Sequence, residues 1–348
     1  TACEVAPPKE SESSDDRYTF SGTYTPPITT GLPKRIDSIC PECLKVIPAI
    51  EYIEDERVMI KKECPSHGIF KDLVFSDANL FLQMEEWHFG DGRGFSNPHI
   101  TGATKCPSQC GICNMHTTST SLANIDITGN CNLSCSVCFA DSNTNPYQPD
   151  YEDVVKMMQN LRNMRPAPAD AVQFMGGEPT IHPRFLDIVR AAKDMGFSHI
   201  QTASNGIKLA DPDFAMKARE AGLQYIYLQM DGVDDEVFKK IRGRALLKTK
   251  LQVIESARKA GLRIIFVPTV IKGINDHQLG PLIKLAFENL DVLTGIAVQP
   301  VVFTGRFAEA ERLSKRFTLA DMIHEVGKQT GITKAYEDWF PLSAITPF

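Results

Sequence analysis

At 348 residues the chain is long enough for one large core and a smaller satellite. A net charge of −6 and a pI near 5.8 exclude a non-specific nucleic-acid binder, which needs a basic face. No apolar run approaches the ~18 residues of a membrane-spanning helix and no signal peptide precedes the first acidic segment, so ten cysteines, nine of them in short clusters, read as metal sites in a reducing cytoplasm rather than as disulfides.

Residues 1–35 are rich in Pro, Ser, Thr, Glu and Asp and poor in large apolar side chains, so they read as a flexible tail that cannot offset its ordering entropy. The start at Thr1 rather than Met points to a processed product. Residues 36–70 hold Cys40-Pro41-Glu42-Cys43 and Cys64-Pro65-Ser66-His67-Gly68 around a β-rich run. Two knuckles joined by a hairpin can bring Cys40, Cys43, Cys64 and His67 into one tetrahedron, a ligand set that suits Zn or a single Fe in a rubredoxin-like site. The metal then staples a ribbon that lacks a core of its own. From Phe70 to Gly94 large apolar residues crowd together, either to pack the ribbon or to face a lipid or membrane surface. The connector, 71–121, closes with a C-x3-C-x2-C triplet, Cys106, Cys110 and Cys113, and His116 follows it.

A second triplet, Cys131, Cys135 and Cys138, follows the strand-like run Leu122 to Thr128. One tight loop can aim its three thiolates at one point, which fits a [4Fe–4S] cluster with one iron left for a non-protein ligand. Zinc and reduced structural cysteines are the alternatives. From here a repeating β-then-α pattern predicts an α/β fold, a partial (βα)6 barrel over 122–335. Its expected strands are Ala123–Thr128, Ala171–Met175, His199–Ala203, Tyr225–Met230, Arg263–Val270 and Gly295–Val301. Helix faces are expected at Val154, Met158 and Leu161, at Phe185, Val189 and Ala192, and at Leu247, Leu251 and Ile254. Gly196, Gly222 and Gly261 stand where helix ends want glycine.

Parallel α/β folds carry their sites at the C-terminal ends of the strands, and the suggestive residues fall there. Gly176, Gly177, Glu178 and Pro179 end strand two; the glycines permit close backbone approach and Glu178 can accept from an ammonium group. Ser204 and Asn205 end strand three, and Gln229 and Asp231 end strand four, offering small polar groups to a ligand, though ordinary strand-end turns look the same. Val298 and Gln299 end strand six. Since Cys131, Cys135 and Cys138 follow a strand and precede the βα run, they take the catalytic role, and Cys106, Cys110 and Cys113 an auxiliary cluster. The fourth ligand of that auxiliary cluster stays open between His116, a residue outside the chain and a substrate.

The triplet, the GGEP turn and the six βα units resemble the radical SAM superfamily over Leu122 to Ile332. The resemblance implies that the open iron binds S-adenosyl-L-methionine (SAM), with ribose held near the ends of strands three and four and adenine walled by Val298 and Gln299. Val137 stands where many members carry an aromatic residue, and here the aromatic is Phe139. The order CPEC, CPSHG, CPSQCGIC, NCNLSCSVCF resembles, more narrowly, the archaeal tetraether lipid synthase family, once described as radical SAM methylases. That resemblance implies an enzyme that cleaves SAM reductively to a 5′-deoxyadenosyl radical and couples two sp3 carbons of lipid tails in tetraether lipid synthesis. It further implies an auxiliary [4Fe–4S] cluster, a mononuclear Zn or Fe site, a lipid substrate, and a low-potential electron donor such as ferredoxin or flavodoxin. A peripheral membrane contact by a cytoplasmic protein and a continuation of the 336–348 stretch into a further cysteine-containing segment belong to the same expectation. A methylase of a lipid or cofactor and a peptide-modifying maturase are the alternatives.

Overall fold

The computed structural model describes residues 30–87, 94–104, 109, 111–116, 118–144, 147–303 and 312–341. The expected tail up to residue 29, Cys3 included, and the end of the expected C-terminal segment, 342–348, lie outside the described residues. The chain divides into two compact units, one made of the N-terminal 119 residues with 318–327 and 331–348, the other of 120–317 with 328–330.

In the first unit, β1 (Lys34–Ile39), β2 (Val46–Glu54), β3 (Arg57–Cys64) and β4 (Gly68–Phe75) form an antiparallel sheet in sequence order. Alternation in β2 buries Ile47, Ala49 and Glu51 on one side, as a period of two requires. Helix α1 (Ala78–Glu85) is capped by Asp77, whose Oδ1 accepts from the Leu80 amide at 3.0 Å. Its Leu80 and Phe81 are buried, as are Val58 and Phe75 of the sheet, and the Phe75 and Phe81 rings meet edge to face at 5.6 Å. Within this core the Lys34 ammonium pairs with the Glu85 carboxylate and lies 3.5 Å from Glu51.

The second unit runs β5 (Ala123–Thr128), α2 (Tyr151–Arg162), β6 (Ala171–Gly176), α3 (Phe185–Asp194), β7 (His199–Ser204), α4 (Pro212–Ala221), β8 (Tyr225–Gln229), α5 (Asp235–Arg242), α6 (Leu247–Ala260), β9 (Arg263–Val267), β10 (Thr269–Val270), α7 (Leu279–Phe287), β11 (Leu293–Ile296) and β12 (Gln299–Pro300). The short α8 (Arg312–Lys315) follows, and α9 (Leu319–Thr330) closes the described chain, most of it belonging to the first unit. Six strands make one parallel sheet in the order β11-β9-β8-β7-β6-β5, the expected partial (βα)6 arrangement.

The register lays the core in rows. Ile125, Phe174, Thr202, Ile226 and Ile264 line up across five strands, all nearly water-free, and point to the helices. The opposite face carries Asn124, Gln173, Gln201, Tyr225 and Arg263 in one row, polar where the first face is apolar. Val154 and Met158 of α2, and Phe185, Val189 and Ala192 of α3, are buried on the expected faces. Gly196, Gly222 and Gly261 all follow helices at positive φ.

Three expectations need correction. Arg263–Val270 is two strands, because Pro268 has no N–H for the ladder; beyond it β10 leaves the main sheet and pairs with β12. The last strand of the main sheet therefore starts earlier, at Leu293, and Gln299 stands in the two-stranded sheet instead. Helix α6 buries Lys250, Val253, Ile254 and Ala257, while Leu251, expected inside, is exposed. A lysine takes the inward position because its ammonium finds acceptors there.

Phe174 lies in the middle row with no exposed surface. Phe174→Ala should cost about 3–5 kcal/mol in a denaturant titration of the full chain, read from the change in midpoint at constant slope.

Candidate active site and metal ribbon

The second-unit site is assembled where the loop after β5 meets the turn after β6. The Gly177 amide donates to Thr128 O at 2.7 Å and the Glu178 amide to Asn130 O at 2.8 Å, so the GGEP turn docks on the first residues of the cysteine loop. No side chain fits between them. A Cβ on Gly176 would stand 2.1 Å from Thr128 O, at a φ of +131°, and one on Gly177 would stand 2.1 Å from Asn130 O.

Glu178 was expected to offer its carboxylate to an ammonium group; instead it is buried and tied inward. Its Oε1 accepts from the Thr180 amide (3.1 Å), the Thr180 hydroxyl (2.5 Å) and the Ser204 hydroxyl (2.8 Å), and its Oε2 from the Asn205 amide (2.7 Å). Burial pushes this carboxyl upward, against the pull of the hydrogen bonds from Thr180, Asn205 and Ser204. Pro179 is buried as the first residue of the short turn that follows.

Asn143 clamps the loop itself. Its Oδ1 accepts from the Cys131 amide at 2.7 Å and its Nδ2 donates to Leu133 O at 3.2 Å. The Leu133 amide points at Cys131 Sγ (3.4 Å) and the Ser142 amide at Cys138 Sγ (3.5 Å). The Ser136 hydroxyl lies within 3.4 Å of the Lys240 and Ile241 carbonyls at the end of α5. Burial raises the Cys131 thiol to about 11, helped by the neighbouring Glu178, Cys135 and Cys138 and opposed by the Leu133 amide. A bound metal would offset this by stabilising the thiolate.

The three thiols do not gather as a single-ion site does: among the described residues, only the ribbon ligands lie within 4.8 Å of one another. Three thiols on one loop suit a [4Fe–4S] cluster, whose irons stand at separate corners, so its ligands need not converge on a single ion.

Around the loop stand groups that sequence reasoning had placed, and two that it had not. Asn205 Nδ2 lies 2.6 Å from Asn132 Oδ1 and 4.0 Å from Cys131 Sγ. Asp231, expected as a ligand contact, is fully buried and spent internally: it receives two 2.8 Å bonds from the Arg242 guanidinium and one from the Thr269 amide at 3.1 Å. Burial disfavours the Arg242 charge, but the Asp231 charge and hydrogen bonds outweigh it and hold the group ionised, with the Cys135 side chain also adjacent. Gln229 is the link between Asp231, to which its Nε2 donates, and the buried Lys250, from which its Oε1 accepts at 3.0 Å. Gln299 is exposed and donates to the Tyr227 hydroxyl at 3.2 Å, while Val298 is half-buried beside it. Val137 is buried with Val237, Ile241, Ile271 and Val301, leaving Phe139 exposed. Arg242 and Lys250 were missed because charges on helices read as solvent-facing; the one available signal was a lysine interrupting the apolar spacing of α6.

The ribbon ligands are brought together as expected. Cys40 Sγ and Cys64 Sγ each lie 3.5 Å from His67 Nδ1, and Cys43 Sγ lies 3.9 Å from Cys64 Sγ. Zn–S bonds of about 2.3 Å predict a tetrahedron edge of roughly 3.8 Å, so the four atoms already frame one ion. Hydrogen bonds from the Ser66 backbone, with His67 and Cys40 contributing, lower the Cys64 thiol to about 6 against burial, which suits a ligand that must bind as thiolate. Of the auxiliary triplet only Cys113 is described; it is buried with Ala103 and Met115, and Cys106 and Cys110 lie outside the described residues. His116 stacks on Phe95 at 4.9 Å.

Residues 125–286 match the family model described as "Radical SAM superfamily", and 32–76 that of the "HMPTM N-terminal zinc ribbon domain". The chain belongs to the radical SAM superfamily, and its fold is accordingly the radical SAM α/β fold, with a six-stranded parallel sheet and an N-terminal zinc ribbon. It is 43% identical over 317 residues to a Methanocaldococcus jannaschii protein named 7,8-dihydro-6-hydroxymethylpterin dimethyltransferase, a match covering 90% of this chain and 62% of that one. It is 30% identical over 222 residues to the GTP 3′,8-cyclase of Chlorobaculum tepidum, covering 60% of this chain and 63% of the relative. The chain thus spans under two thirds of both proteins. In fold it resembles Streptococcus suis SuiB bound to the precursor peptide SuiA, with a TM-score of 0.50 at 13% identity over 84% of this chain and 69% of that one. The expected lipid coupling finds no support in these relatives, whereas the methylase alternative does. No helix among the described residues is long and apolar enough to cross a membrane, and a peripheral membrane contact has no support either.

Two outcomes follow from this geometry. Glu178→Ala should destabilise the protein by about 3 kcal/mol or more, because several buried donors lose their acceptor at once; Glu178→Gln, which keeps an acceptor, should cost less in the same denaturant titration. For the ribbon, purified protein should carry one equivalent of zinc, or one of iron in excess of inorganic sulfide, by elemental analysis, and His67→Ala should release it to a chelator that the wild type resists.

Proposed function

We propose that the chain is a radical SAM methyltransferase acting on a pterin-type or other small cofactor substrate. The observation that carries SAM chemistry is the docking of the Gly177 and Glu178 amides on Thr128 and Asn130, which joins the GGEP turn to the three-thiol loop at the strand ends. Methyl transfer rather than another radical reaction is supported by the 43% identity to the pterin dimethyltransferase and by the ribbon match.

In this reading Cys131, Cys135 and Cys138 hold a [4Fe–4S] cluster and SAM takes the open iron. Together, when bound, they supply the one-electron cleavage that generates a carbon radical. The protein's own part is placement. Asn143 fixes the loop, the Leu133 and Ser142 amides ease the charge on two sulfurs, and Arg242 stands by the third cysteine. Asn205, Gln229 and Gln299 are the polar groups from which SAM contacts are drawn, with Val298 as apolar wall. Low-potential electrons come from a ferredoxin- or flavodoxin-like donor. Cys40, Cys43, Cys64 and His67 hold the structural Zn or Fe, and Cys106, Cys110 and Cys113 the auxiliary cluster.

The second reading, tail-to-tail coupling of lipid chains, is favoured by one observation, the presence of two C-x3-C-x2-C triplets in one chain. Coupling needs two hydrogen abstractions and a place to keep the first carbon radical, which an auxiliary cluster can provide. Anaerobic incubation of the reconstituted protein with SAM and a strong reductant, given a dihydropterin or a diether lipid, separates the two. A product heavier by one methylene per transfer is expected; a joined product lacking two hydrogens would replace methyl transfer with coupling. Cys131→Ser should reduce 5′-deoxyadenosine to background, and wild-type protein forming none would sink both readings.

A further inference from the structure

Helix α6 turns a lysine inward among apolar neighbours, beside the buried Val253, Ile254 and Ala257. Lys250 has no exposed surface. Its Nζ donates to the Asn205 carbonyl at 2.5 Å and to Gln229 Oε1 at 3.0 Å, with the Phe238 ring 5.8 Å away. Burying an ammonium is expensive unless it is bonded, so its persistence here asks for a reason beyond packing. Burial pushes it down to about 7, with Arg242 adding to the push and Asp231, Glu178 and Cys135 resisting it.

Both partners of the ammonium lead to the cysteine loop. Asn205 ends β7, and its amide group reaches Asn132 and the Cys131 sulfur. Gln229 ends β8, and its Nε2 donates to Asp231, which grips Arg242, which in turn adjoins Cys135. One buried side chain on a helix remote in sequence therefore spans two strand ends, one of which reaches Cys131 directly through Asn205 and the other Cys135 through Asp231 and Arg242.

We propose that Lys250 is a positioning residue for SAM binding: by tying the ends of β7 and β8 together it sets Asn205 on one flank of the cysteine loop and, through Gln229 and Asp231, Arg242 on the other. Lys250 is itself too buried to touch SAM and acts through these neighbours. The inference rests on the radical SAM reading of the site.

The test uses the full chain with its cluster reconstituted, and reads SAM binding from the change in the electron paramagnetic resonance signal of the reduced cluster as SAM is added. Lys250→Met keeps length and packing and removes every donor; Lys250→Gln keeps a donor able to reach the Asn205 carbonyl. The methionine variant should retain its iron and need about tenfold more SAM for half the spectral change, and the glutamine variant should come within about threefold of wild type. A methionine variant that titrates like wild type overturns the proposal, as does an equal loss in both variants that tracks a lowered melting temperature, since that marks a purely structural residue. If the methionine variant does not fold, Lys250→Leu, which is smaller and also lacks a donor, decides: a weakened titration at normal melting temperature supports the proposal and an unchanged one overturns it. Wild-type protein showing no spectral response to SAM would overturn the parent reading and this inference with it, whereas a responding wild type with indifferent variants removes only the role of Lys250.

Discussion

The carboxylate of Glu178 has no water to turn to, and the second unit's site is organised by how that is resolved. Its two oxygens accept from Thr180, Ser204 and Asn205, so a single buried anion fixes the start of the turn after β6 and the end of β7 at once. In a low-dielectric interior such a group is either fully satisfied or strongly destabilising, which leaves little freedom in where these strand ends sit. The neighbouring amides of Gly177 and Glu178 then carry that order across to the beginning of the cysteine loop. Three thiols on an irregular loop hold a common geometry because the loop's root is bound to a strand end that cannot drift.

Much of this was legible in the residues. β5 begins and ends where its alternating Ala123, Ile125 and Ile127 predict, and α2 and α3 bury the expected side chains, since local periodicity and water exclusion agree there. The cysteine knuckles of the ribbon were legible for a related reason: C-x2-C and C-x2-H spacings are local, and the hairpin between them leaves few other ways to meet. What stayed hidden depends on tertiary neighbours. Nothing local says that Asp231 pairs with Arg242 eleven residues on, or that Lys250 finds the Asn205 carbonyl forty-five residues back. The face of α6 was misjudged by one position because hydrophobicity alone favours Leu251, whereas two acceptors at the strand ends favour Lys250. Pro268 was visible, but a strand can continue past a proline at an edge, and only the pairing of β10 with β12 shows that this one does not.

The two metal-type sites differ in how much of the frame exists in the protein alone. In the ribbon, four donor atoms from two knuckles are already at ion-binding distance, so metal entry asks little of the backbone. In the second unit the three thiols form no such group among the described residues. The fold around them says little about what is methylated or joined, since this architecture positions a reactive carbon without dictating which one.

The contrast between Cys64 and Cys131 bears on how the protein meets oxygen. Hydrogen bonds hold the Cys64 thiol at about 6, but at 2% exposure that sulfur is shielded from oxidants that must reach it, whereas burial raises the Cys131 thiol to about 11 and favours its protonated form. Before metal is inserted, burial thus guards the ionised sulfur of the ribbon, and protonation guards the first sulfur of the cysteine loop.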